Sequence, residues 1–588
     1  MATDITYTPD SIITKAMFNF DAFGLSDYKL DGTIRVSVSD DFSFNDHLNP
    51  DYSQFNSILY TAGSNEVTWT TRMESNIQEI IQTYSQFANI NFQWVGDFDT
   101  FTSSNDFTPN PEDVGNANVS DININWIYRS DVNFAGISGG SSDSFLFNYT
   151  GGANDIFLNA YAAKFNSDIS LDLNTRARQT LMHELGHSLG LSHPHSAYDA
   201  STGVPTITAD YAATKDLGFS QLGFRTNNPA DMYKEYFTIM SYDDQYSLLP
   251  GSNVVFQAYT PMILDVIALQ QAYGEGAGTS GSGNDKIIAG VAGYRTYFDT
   301  GGIDIIDLSQ YADGAYLNMG VSITGAAHLV GVSMSVFDAQ NTISTGGDPA
   351  NLRWFYGEYE NAFGSSQGDQ IVGNSLDNVI DGEGGNDTLI GEEGNDTLSG
   401  GGGDDNLNGQ EGIDTAIYAG NGSAFTIVYN IDHSYIIQSN TSTEGTDTLN
   451  SIERINFSEE KLALDIDGNA GITAKTLGAV FGKDSIANKE YVGIGLGLLD
   501  DGMSYSNLME LAINAKLGVN ASDTDIVNLL YTNVVGNAPP VSDLNYFVAL
   551  LQNNTYTEAS LGVFAADTPL NANNINLIGL AATGLEFV

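Results

Sequence analysis

A nine-residue repeat between positions 369 and 417 constrains the fold of this chain more than any other feature. Aspartate or asparagine recurs at intervals of nine, at Asp369, Asn378, Asp387, Asp396, Asp405 and Asp414. The clearest units are Gly382–Ile390, Gly391–Ser399 and Gly400–Asn408, followed by the weaker unit Gly409–Ile417. A short period held over six turns is typical of a solenoid, in which each turn packs on its neighbours. The alternative, a Gly/Asp-rich linker, would not keep this register.

The composition of the repeat predicts its chemistry. The glycines permit tight turns, each aspartate supplies a hard oxygen ligand for calcium, and each leucine lies in a short strand that faces inward. The sequence therefore predicts a parallel β-roll that holds several calcium ions, with aspartates eighteen residues apart sharing an ion. The candidate calcium residues are Asp369, Gly382, Gly384, Asp387, Gly391, Asp396, Gly400, Gly402, Asp405, Gly409 and Asp414.

The overall charge also points to cations as ligands. The 588 residues include 73 acidic and 20 basic ones, for a formal net charge of −53. This excess argues against nucleic acid or an anionic membrane surface as a partner. Because 42% of the residues are hydrophobic, the chain is expected to fold rather than to remain disordered. There are no cysteines and therefore no disulfides, so bound metal is expected to stabilise the fold if the protein is extracellular.

The sequence predicts neither a Sec signal peptide nor a membrane span. The first residues lack a basic region followed by an apolar core. No run approaches the ~18 apolar residues that a membrane helix needs.

The segment His183–His193 carries a catalytic signature. His183 and His187 are four residues apart, so one helix presents both imidazoles on the same side. Gly190 can take a left-handed conformation and turn the chain back, which leaves His193 free to approach from a third direction. Three neutral imidazoles leave a fourth position for water, as in a catalytic rather than a structural zinc site.

Glu184 stands beside the first of these histidines and is the natural base for that water. The alternative is a chance grouping of unrelated histidines. The chain has only seven histidines, and four of them fall within thirteen positions, which argues against chance. The motif therefore predicts a zinc peptidase.

Periodicity around this motif predicts an α+β domain that ends near residue 270. Apolar residues at helical spacing predict a helix over Met73–Ala88. Alternating patterns predict strands at 90–94, 122–126 and 155–159. The zinc helix should begin near Asn174 or Thr175, either of which can cap it. Its apolar stripe lies opposite the histidines, so it should bury one side and turn the histidines towards a cleft.

The last part of the chain predicts a small helical domain. Apolar spacing indicates helices after Ser506 and Asp523 and a third around Leu544–Leu551. Where this region begins, Asp465 and Asp467 could form a calcium loop, but Gly468 breaks the EF-hand pattern, and a plain turn is predicted.

Together these motifs resemble the serralysin family of secreted bacterial metallopeptidases, within the metzincin clan. The zinc signature matches at every defining position, namely His183, Glu184, His187, Gly190 and His193. The segment Thr238–Tyr242 is similar to the Met-turn of that family. The resemblance covers roughly residues 30 to 420 and includes the calcium-binding repeats, which are called RTX repeats in such proteins.

The resemblance assigns further roles. It implies that Met240 lies under the zinc site and that Tyr242 is an additional zinc ligand, which can swing away and stabilise the oxyanion. It implies export through a type I secretion machinery, guided by an uncleaved C-terminal signal. We also expect substrate to lie extended along an edge strand around Asp155–Asn159, as an added strand.

The predicted fold is an α+β metzincin catalytic domain, a parallel β-roll and a small α-helical C-terminal domain. Residues 1–30 are an N-terminal segment and candidate propeptide, 31–270 the zinc-peptidase domain, 271–465 the RTX calcium-binding β-roll domain, and 466–588 the helical domain with the terminal secretion signal.

The predicted function is that of a secreted, monomeric zinc metalloendopeptidase acting on extracellular proteins, with one catalytic zinc ion and several structural calcium ions. Its C-terminal domain would tether it to a cell surface in one version of this prediction. The alternative is a calcium-dependent surface or adhesion protein with an inactive metzincin domain. The presence of Glu184, which ligates no metal in this scheme, favours the enzyme.

Overall fold

The computed structural model describes two compact units. The described residues are 33–39, 70–97, 122–127, 136–138, 154–159, 171, 176–191, 193–198, 205–207, 209–227, 232, 234, 236–241, 258–279, 281–289, 293–341, 343–345, 349–441 and 444–588. One unit comprises residues up to 306 together with 316–359, and the other comprises 307–315 together with 360–588. Within the described ranges, no helix is both long and apolar enough to cross a membrane.

The elements up to residue 359 mix helices and strands. They are β1 (Thr33–Ser39), α1 (Thr71–Phe87), β2 (Asn91–Asp97), β3 (Ile122–Ile127), β4 (Gly136–Ser138), β5 (Asn154–Asn159), α2 (Arg176–Ser188), β6 (His195–Tyr198), β7 (Pro205–Ile207), α3 (Ala209–Ala212), α4 (Ile263–Tyr273), β8 (Lys286–Ile288), β9 (Gly293–Phe298), β10 (Ile305–Asp307), β11 (Ala315–Ser322), β12 (Leu329–Ser335), α5 (Val336–Asn341) and β13 (Asn351–Tyr356).

The first five strands form one sheet in the order β2-β1-β3-β5-β4. All run parallel except β4, which pairs antiparallel with β5 and places Gly136 opposite Leu158. The predicted strand around Asp155–Asn159 is present, but its prediction as the sheet edge was wrong, because β4 covers it. With three residues, β4 is too short to show an alternating pattern in the sequence. Helix α2 lies against both β4 and β5.

Helix α1 supplies much of the core beneath this sheet. Its apolar residues recur at helical spacing and are buried, as the sequence predicts, from Met73 to Phe87. The Thr70 side chain accepts a hydrogen bond from the Met73 backbone N–H at 3.3 Å and caps the helix. Helix α4 is buried on nearly all sides, and the buried residues include Asp265.

The elements of the second unit are short strands followed by helices. The strands are β14 (Asn361–Phe363), β15 (Gln370–Val372), β16 (Val379–Asp381), β17 (Thr388–Glu393), β18 (Thr397–Ser399), β19 (Asn406–Glu411), β20 (Thr415–Ile417), β21 (Phe425–Tyr429), β22 (Tyr435–Ser439), β23 (Thr446–Asn450), β24 (Arg454–Asn456), β25 (Lys461–Ala463) and β26 (Leu585–Phe587). The helices are α6 (Asn469–Phe481), α7 (Lys489–Asp500), α8 (Tyr505–Leu517), α9 (Asp523–Val535), α10 (Val541–Gln552), α11 (Glu558–Ala566), α12 (Pro569–Asn574) and α13 (Leu577–Thr583).

The strands of the repeat alternate between two parallel sheets. Strands β14, β16, β18 and β20 pair in one sheet, and β15, β17 and β19 in the other. In this register Leu389 lies opposite Leu407, and Ile380 lies opposite Leu398. These side chains are fully buried, so each turn adds one apolar residue to a continuous core between the sheets.

The helical region begins earlier and contains more helices than the sequence pattern indicated. Ser504 caps α8, two residues before the predicted Ser506, and Ser522 caps α9. The third predicted helix is α10. Helices α6, α7 and α11–α13 were not predicted. Before α6 the chain makes the expected plain turn, in which the Gly468 N–H donates to the Asp465 carbonyl at 2.8 Å.

Candidate metal centres

Helix α2 and the turn after it bring three histidines together. The Nε2 atom of His193 lies 3.0 Å from Nε2 of His183 and 3.0 Å from Nε2 of His187. Within the described ranges this is the one group of three or more His, Asp or Glu side chains whose possible ligand atoms all lie within 4.8 Å of one another. His183 and His187 are each only 5% exposed. The converging nitrogen atoms therefore lie in a largely desolvated site.

Hydrogen bonds on the far side of two of these rings set their tautomers. The Nδ1 atom of His183 lies 2.7 Å from the Ile239 carbonyl, and Nδ1 of His187 lies 2.7 Å from the Leu191 carbonyl. A carbonyl only accepts, so each Nδ1 must carry the proton. In the neutral rings each Nε2 then presents a lone pair to the shared point. Metal-ligating histidines are held in this manner.

The turn after α2 has the conformation that the sequence predicts. Gly190 has a φ of +101°, in the left-handed region that favours glycine. The Leu191 N–H donates to the Gly186 carbonyl at 2.9 Å, and the Gly190 N–H donates to the His187 carbonyl at 2.9 Å. These bonds close the C-terminus of the helix and let the chain return with His193.

The segment Thr238–Ser241 lies beneath the helix. Met240 is fully buried, and its sulfur is the nearest atom to the space where a side chain on Gly186 would lie, at 2.9 Å from the Cβ position. Gly186 falls between the first two histidines in sequence, so Met240 packs against the helix that carries them. The position under the zinc ion that the resemblance implies for Met240 stays a prediction.

A buried carboxylate holds this segment in place. Asp265 accepts hydrogen bonds from the Thr238 hydroxyl at 2.6 Å, the Ile239 N–H at 2.8 Å and the Met262 N–H at 2.8 Å. Burial raises the pKa of Asp265 to about 7, although these three hydrogen bonds lower it. Since the Ile239 carbonyl accepts from His183, Asp265 positions a candidate zinc ligand through the backbone of one residue, Ile239. The role of Asp265 was not predicted from the sequence.

Asp265→Ala is expected to lower the free energy of unfolding by about 3 kcal/mol, because two buried N–H groups and a hydroxyl lose their acceptor. We also expect about tenfold weaker zinc binding, as for other groups that orient a metal ligand. Urea unfolding and zinc competition titrations measure the two effects. Asp338→Ala is the matched control, since Asp338 is buried in the same unit and bonds Ser335 and Ala350. Equal zinc affinity in the two variants would contradict the role of Asp265.

Glu184 lies on α2 between the candidate ligands and is 5% exposed. Its burial on the helix that carries two of the histidines is compatible with proton transfer in a site from which most water is excluded. Tyr242, the fourth predicted zinc ligand, lies outside the described residues, which end at Ser241 in this turn. Asn174 and Thr175, the predicted caps of the zinc helix, also lie outside them.

The histidine cluster fits zinc. Its donors are three imidazole nitrogens, of which at least two are fixed as lone-pair donors, and imidazole is a preferred zinc ligand. Three lone-pair atoms brought this close together would repel one another without a cation or shared protons between them.

The repeat aspartates form a ladder along each sheet. The Oδ1 atom of Asp387 accepts from the Asp369 N–H at 2.7 Å, and that of Asp405 accepts from the Asp387 N–H at 2.9 Å. In the other sheet Asp414 accepts from the Asp396 N–H at 2.8 Å. Aspartates eighteen residues apart are thus joined by a hydrogen bond, which uses one oxygen of each carboxylate.

The second oxygen of each interior aspartate is buried without a hydrogen-bond partner in the described residues. These atoms are the Oδ2 oxygens of Asp387, Asp396, Asp405 and Asp414. Burial is the largest cause that raises the pKa of Asp387 to about 8 and those of Asp396 and Asp414 to about 6. A buried carboxylate oxygen without a donor is costly, and a bound cation would satisfy it. The ladder therefore fits calcium, a cation that prefers oxygen ligands.

The repeat glycines leave the space that these oxygens face. A Cβ on Gly382, Gly391, Gly400 or Gly409 would collide with the Oδ2 atom of the aspartate five residues later. A Cβ on Gly382 would also approach the Gly400 carbonyl oxygen at 2.9 Å, one turn further on. A carboxylate oxygen and a carbonyl oxygen thus converge between turns.

Three other predicted calcium residues differ in their surroundings. Asp369 accepts from the Ala315 N–H at 2.6 Å and from the Ser365 N–H at 2.5 Å and hydroxyl at 2.9 Å, so both of its oxygens have donors. Gly384 and Gly402 form an isolated parallel bridge with each other. The structure thus distinguishes the first aspartate of the series from the interior ones.

Two family models match this chain. The model of the astacin peptidase family matches residues 159–257, and the RTX calcium-binding nonapeptide repeat matches 363–398 and 381–416. The first match contains the histidine cluster and the Met240 segment, and the second contains the ladder.

Several curated proteins are similar to part of the chain. Metallopeptidase AprA of Pseudomonas marginalis is 29% identical over 223 residues, which cover 36% of this chain and 40% of that protein. Serralysin G of Dickeya chrysanthemi is 31% identical over 223 residues, 36% of this chain and 39% of its own length. A serralysin of Photorhabdus luminescens is 28% identical over 283 residues, 44% and 50% respectively. The chain thus spans half or less of the length of these relatives.

The resemblance to the serralysins that the sequence predicted is confirmed by these matches. A metallopeptidase domain implies zinc, and the calcium-binding repeats imply several calcium ions, so the predicted cofactors are supported as well.

Proposed function

We propose that this chain, which combines an astacin-type metallopeptidase segment with RTX repeats, is a secreted zinc endopeptidase stabilised by calcium. The observation that carries the proposal is the convergence of three imidazole nitrogens within 4.8 Å. Two of them are fixed as lone-pair donors by backbone carbonyls, and Glu184 is buried on the same helix. No adhesion role requires that arrangement.

The proposed fold is a metzincin domain at 31–270, a calcium-binding parallel β-roll at 271–465 and a helical domain at 466–588, after an N-terminal segment at 1–30. His183, His187 and His193 would hold the zinc ion, with Tyr242 as the further ligand. The roll aspartates and glycines would hold several calcium ions.

Bound zinc would act as a Lewis acid, polarising the scissile carbonyl and making water more acidic. Glu184 accepts a proton from the attacking water and returns it to the leaving amine. The buried walls of the site exclude bulk water from these charges. Tyr242 donates a hydrogen bond to the oxyanion as the tetrahedral centre forms.

Strand β4 offers a binding mode for the substrate. It is the outermost strand of the described sheet on that side, and α2 lies against it. An extended peptide added to such an edge is held mainly through its backbone, so broad sequence preference follows. We therefore assign the added-strand role to Gly136–Ser138 instead of Asp155–Asn159.

Removal of zinc tests the metal dependence. A zinc chelator such as 1,10-phenanthroline, used in millimolar calcium, is expected to lower casein hydrolysis by about two or more orders of magnitude, because the Lewis acid supplies several kcal/mol of stabilisation. Adding stoichiometric zinc should restore the activity. Full activity in the zinc-free protein would overturn the proposal.

A calcium-dependent surface protein with an inactive metzincin domain remains the second candidate, because the roll and helical region form a large part of the second unit. This candidate predicts zinc-independent attachment to cells and no hydrolysis of casein. Fractionation of cells and medium, with and without residues 466–588, distinguishes a tethered enzyme from a free one. Our main proposal, the secreted zinc endopeptidase, also includes export by a type I system, a monomeric state and action on extracellular proteins.

A further inference from the structure

The parallel sheets of the roll continue beyond the residues that match the repeat. The matched repeat ends at residue 416, and a hairpin of β21 and β22 follows. Strand β23 then pairs in parallel with β19, and β24 pairs in parallel with β20. The segment Glu444–Arg454 therefore adds one more turn to the roll, and this turn leads one further strand into each sheet.

This added turn reproduces the aspartate ladder. The Oδ1 atom of Asp447 accepts from the Asp405 N–H at 3.0 Å, as Asp405 accepts from the Asp387 N–H at 2.9 Å. The first pair is 42 residues apart in sequence and the second only 18. The Thr448 N–H donates to the Asp405 carbonyl at 2.8 Å, as the Asn406 N–H does to the Asp387 carbonyl at 2.8 Å.

Gly445 stands where the repeat has its turn glycine. It has a φ of +61°, and a Cβ there would collide with the Gly403 carbonyl. Gly403 has a φ of +143° and stands in the same relation to Gly385. Residues Gly445–Leu449 thus occupy the glycine, aspartate and leucine positions of a repeat turn, although an insertion hides their period.

Two carboxylate oxygens, one in this turn and one in the turn before it, are buried without a hydrogen-bond donor in the described residues. They are Oδ2 of Asp405, a residue only 3% exposed, and Oε2 of Glu444. Asp447 is joined to Asp405 by the ladder hydrogen bond of 3.0 Å and follows Glu444 by three residues in the sequence. The buried Tyr418 phenol lies near Asp447, and burial first, then the charge and hydrogen bond of Asp447, raise the pKa of the phenol. The added turn thus supplies Glu444 and Asp447 next to the turn of Asp405, and Asp405 and Glu444 each have a buried oxygen without a donor in the described residues.

The neighbouring sheet supports the same interpretation. A Cβ on Gly409 would collide with both the buried Asp414 Oδ2 and the Ser451 carbonyl oxygen. In the repeat the corresponding space at Gly391 lies between Asp396 Oδ2 and the Gly409 carbonyl. Ser451 accordingly has a φ of +48°, a left-handed conformation at a glycine position.

We infer that the segment Glu444–Arg454 is the closing turn of the roll and that Asp405, Glu444 and Asp447 are carboxylate ligands of a calcium site outside the matched repeat. Hard oxygen donors with adjustable geometry suit calcium. The inference rests on the proposed calcium-binding roll and adds Glu444 and Asp447 to its ligands. The hairpin and the helical region would then be joined to the roll by a bound ion.

Calcium counting on the full chain tests this inference. Wild type and the double variant Glu444→Gln/Asp447→Asn are dialysed against millimolar calcium, and bound ions are counted by mass spectrometry of the metal. We expect one ion fewer per chain in the double variant. Asparagine keeps the Oδ1 acceptor for the Asp405 N–H, so the ladder should persist. The control is Asp432→Asn in the hairpin, whose carboxylate bonds Ser434 and is exposed.

Terbium gives a second readout. Tyrosine close to a bound terbium ion sensitises its emission, so Tyr418→Phe should reduce emission while leaving the ion count unchanged. If the double variant misfolds by circular dichroism, Glu444→Gln alone decides, since this side chain makes no ladder bond. An unchanged ion count in a folded variant would overturn the inference. If the wild type binds no calcium, the proposed calcium-binding roll itself fails.

Discussion

Glu184→Gln is expected to lower kcat for casein or a peptide substrate by about a thousandfold, within the range that general acid–base groups contribute. The amide keeps the size of the side chain but can neither take a proton from water nor return one to the leaving amine. KM should change little, because Glu184 would act on the reacting atoms and not on the bound peptide. Zinc content should remain one ion per chain, since Glu184 belongs to no ligand set here.

Glu79→Gln is the matched control for this substitution. Glu79 lies on α1 and its carboxylate accepts from the Arg178 guanidinium on α2 at 3.0 Å. It therefore contacts the same helix without facing the three histidines. Its loss should leave kcat within about a factor of two, because the Glu79 side chain is 55% exposed, although its partner Arg178 is buried, and Glu79 does not belong to the histidine group. Wild-type kcat in Glu184→Gln would refute the assignment of the base, and parallel losses in both variants would indicate a structural effect.

Calcium removal should unfold the roll. A ligand present at 100 times its Kd stabilises the folded state by about 2.7 kcal/mol per site. Four interior aspartates with unsatisfied oxygens imply several such sites. Their sum is comparable with the whole stability of an ordinary domain, about 5–15 kcal/mol. We therefore expect a chelator such as EGTA to abolish the β signal of the roll in circular dichroism, and returning calcium to restore it.

The pH dependence of the calcium-free roll should have a definite sign. The pKa of Asp387 is raised to about 8, and those of Asp396 and Asp414 to about 6. Between the ordinary pKa near 4 and these values, the folded roll binds more protons than the unfolded chain. Its stability in EGTA should therefore increase as the pH falls from about 8 to about 5. Calcium affinity should fall over the same range, because protons compete for the same oxygens.

Asp387→Asn tests the calcium role of this aspartate separately from its role in the ladder. The variant keeps the Oδ1 acceptor of the ladder but loses the charge that would bind calcium, so its melting temperature in calcium should fall. Asp377→Asn is the control, because Asp377 is exposed and its Oδ1 accepts from the Asn395 N–H at 2.7 Å. Equal melting temperatures of the two variants in calcium would contradict the calcium role of Asp387.

The features that the sequence predicted are those determined by contacts within one helical turn or within the period of the repeat. The four-residue spacing of His183 and His187, the left-handed Gly190 and the eighteen-residue pairing of Leu389 with Leu407 are all local in this sense. Helix α1 was also predicted to within two residues, because its buried face recurs at helical spacing.

Features that depend on distant partners were missed. Asp265 looks like one acidic residue in an apolar helix, and only the fold brings it to Thr238, 27 residues away. The closing turn escaped because its aspartate is 42 residues from the preceding one, which is not a multiple of nine. Strand β4 is defined by its pairing with β5 and not by its own three residues. In each case the contact that determines the feature leaves no periodic pattern in the sequence.

The ladder of Asp369, Asp387, Asp405 and Asp447 makes the roll a one-dimensional chain of nearest-neighbour couplings. In such a chain each formed turn templates the next, and stability is shared along a row instead of being concentrated in one nucleus. A defect at an end would fray a single turn. A defect in the middle, at Asp387 or Asp405, would divide the row into two short segments, each with fewer neighbours to support it. Substitutions at the centre of the row should therefore lower the stability of the roll more than substitutions at its ends.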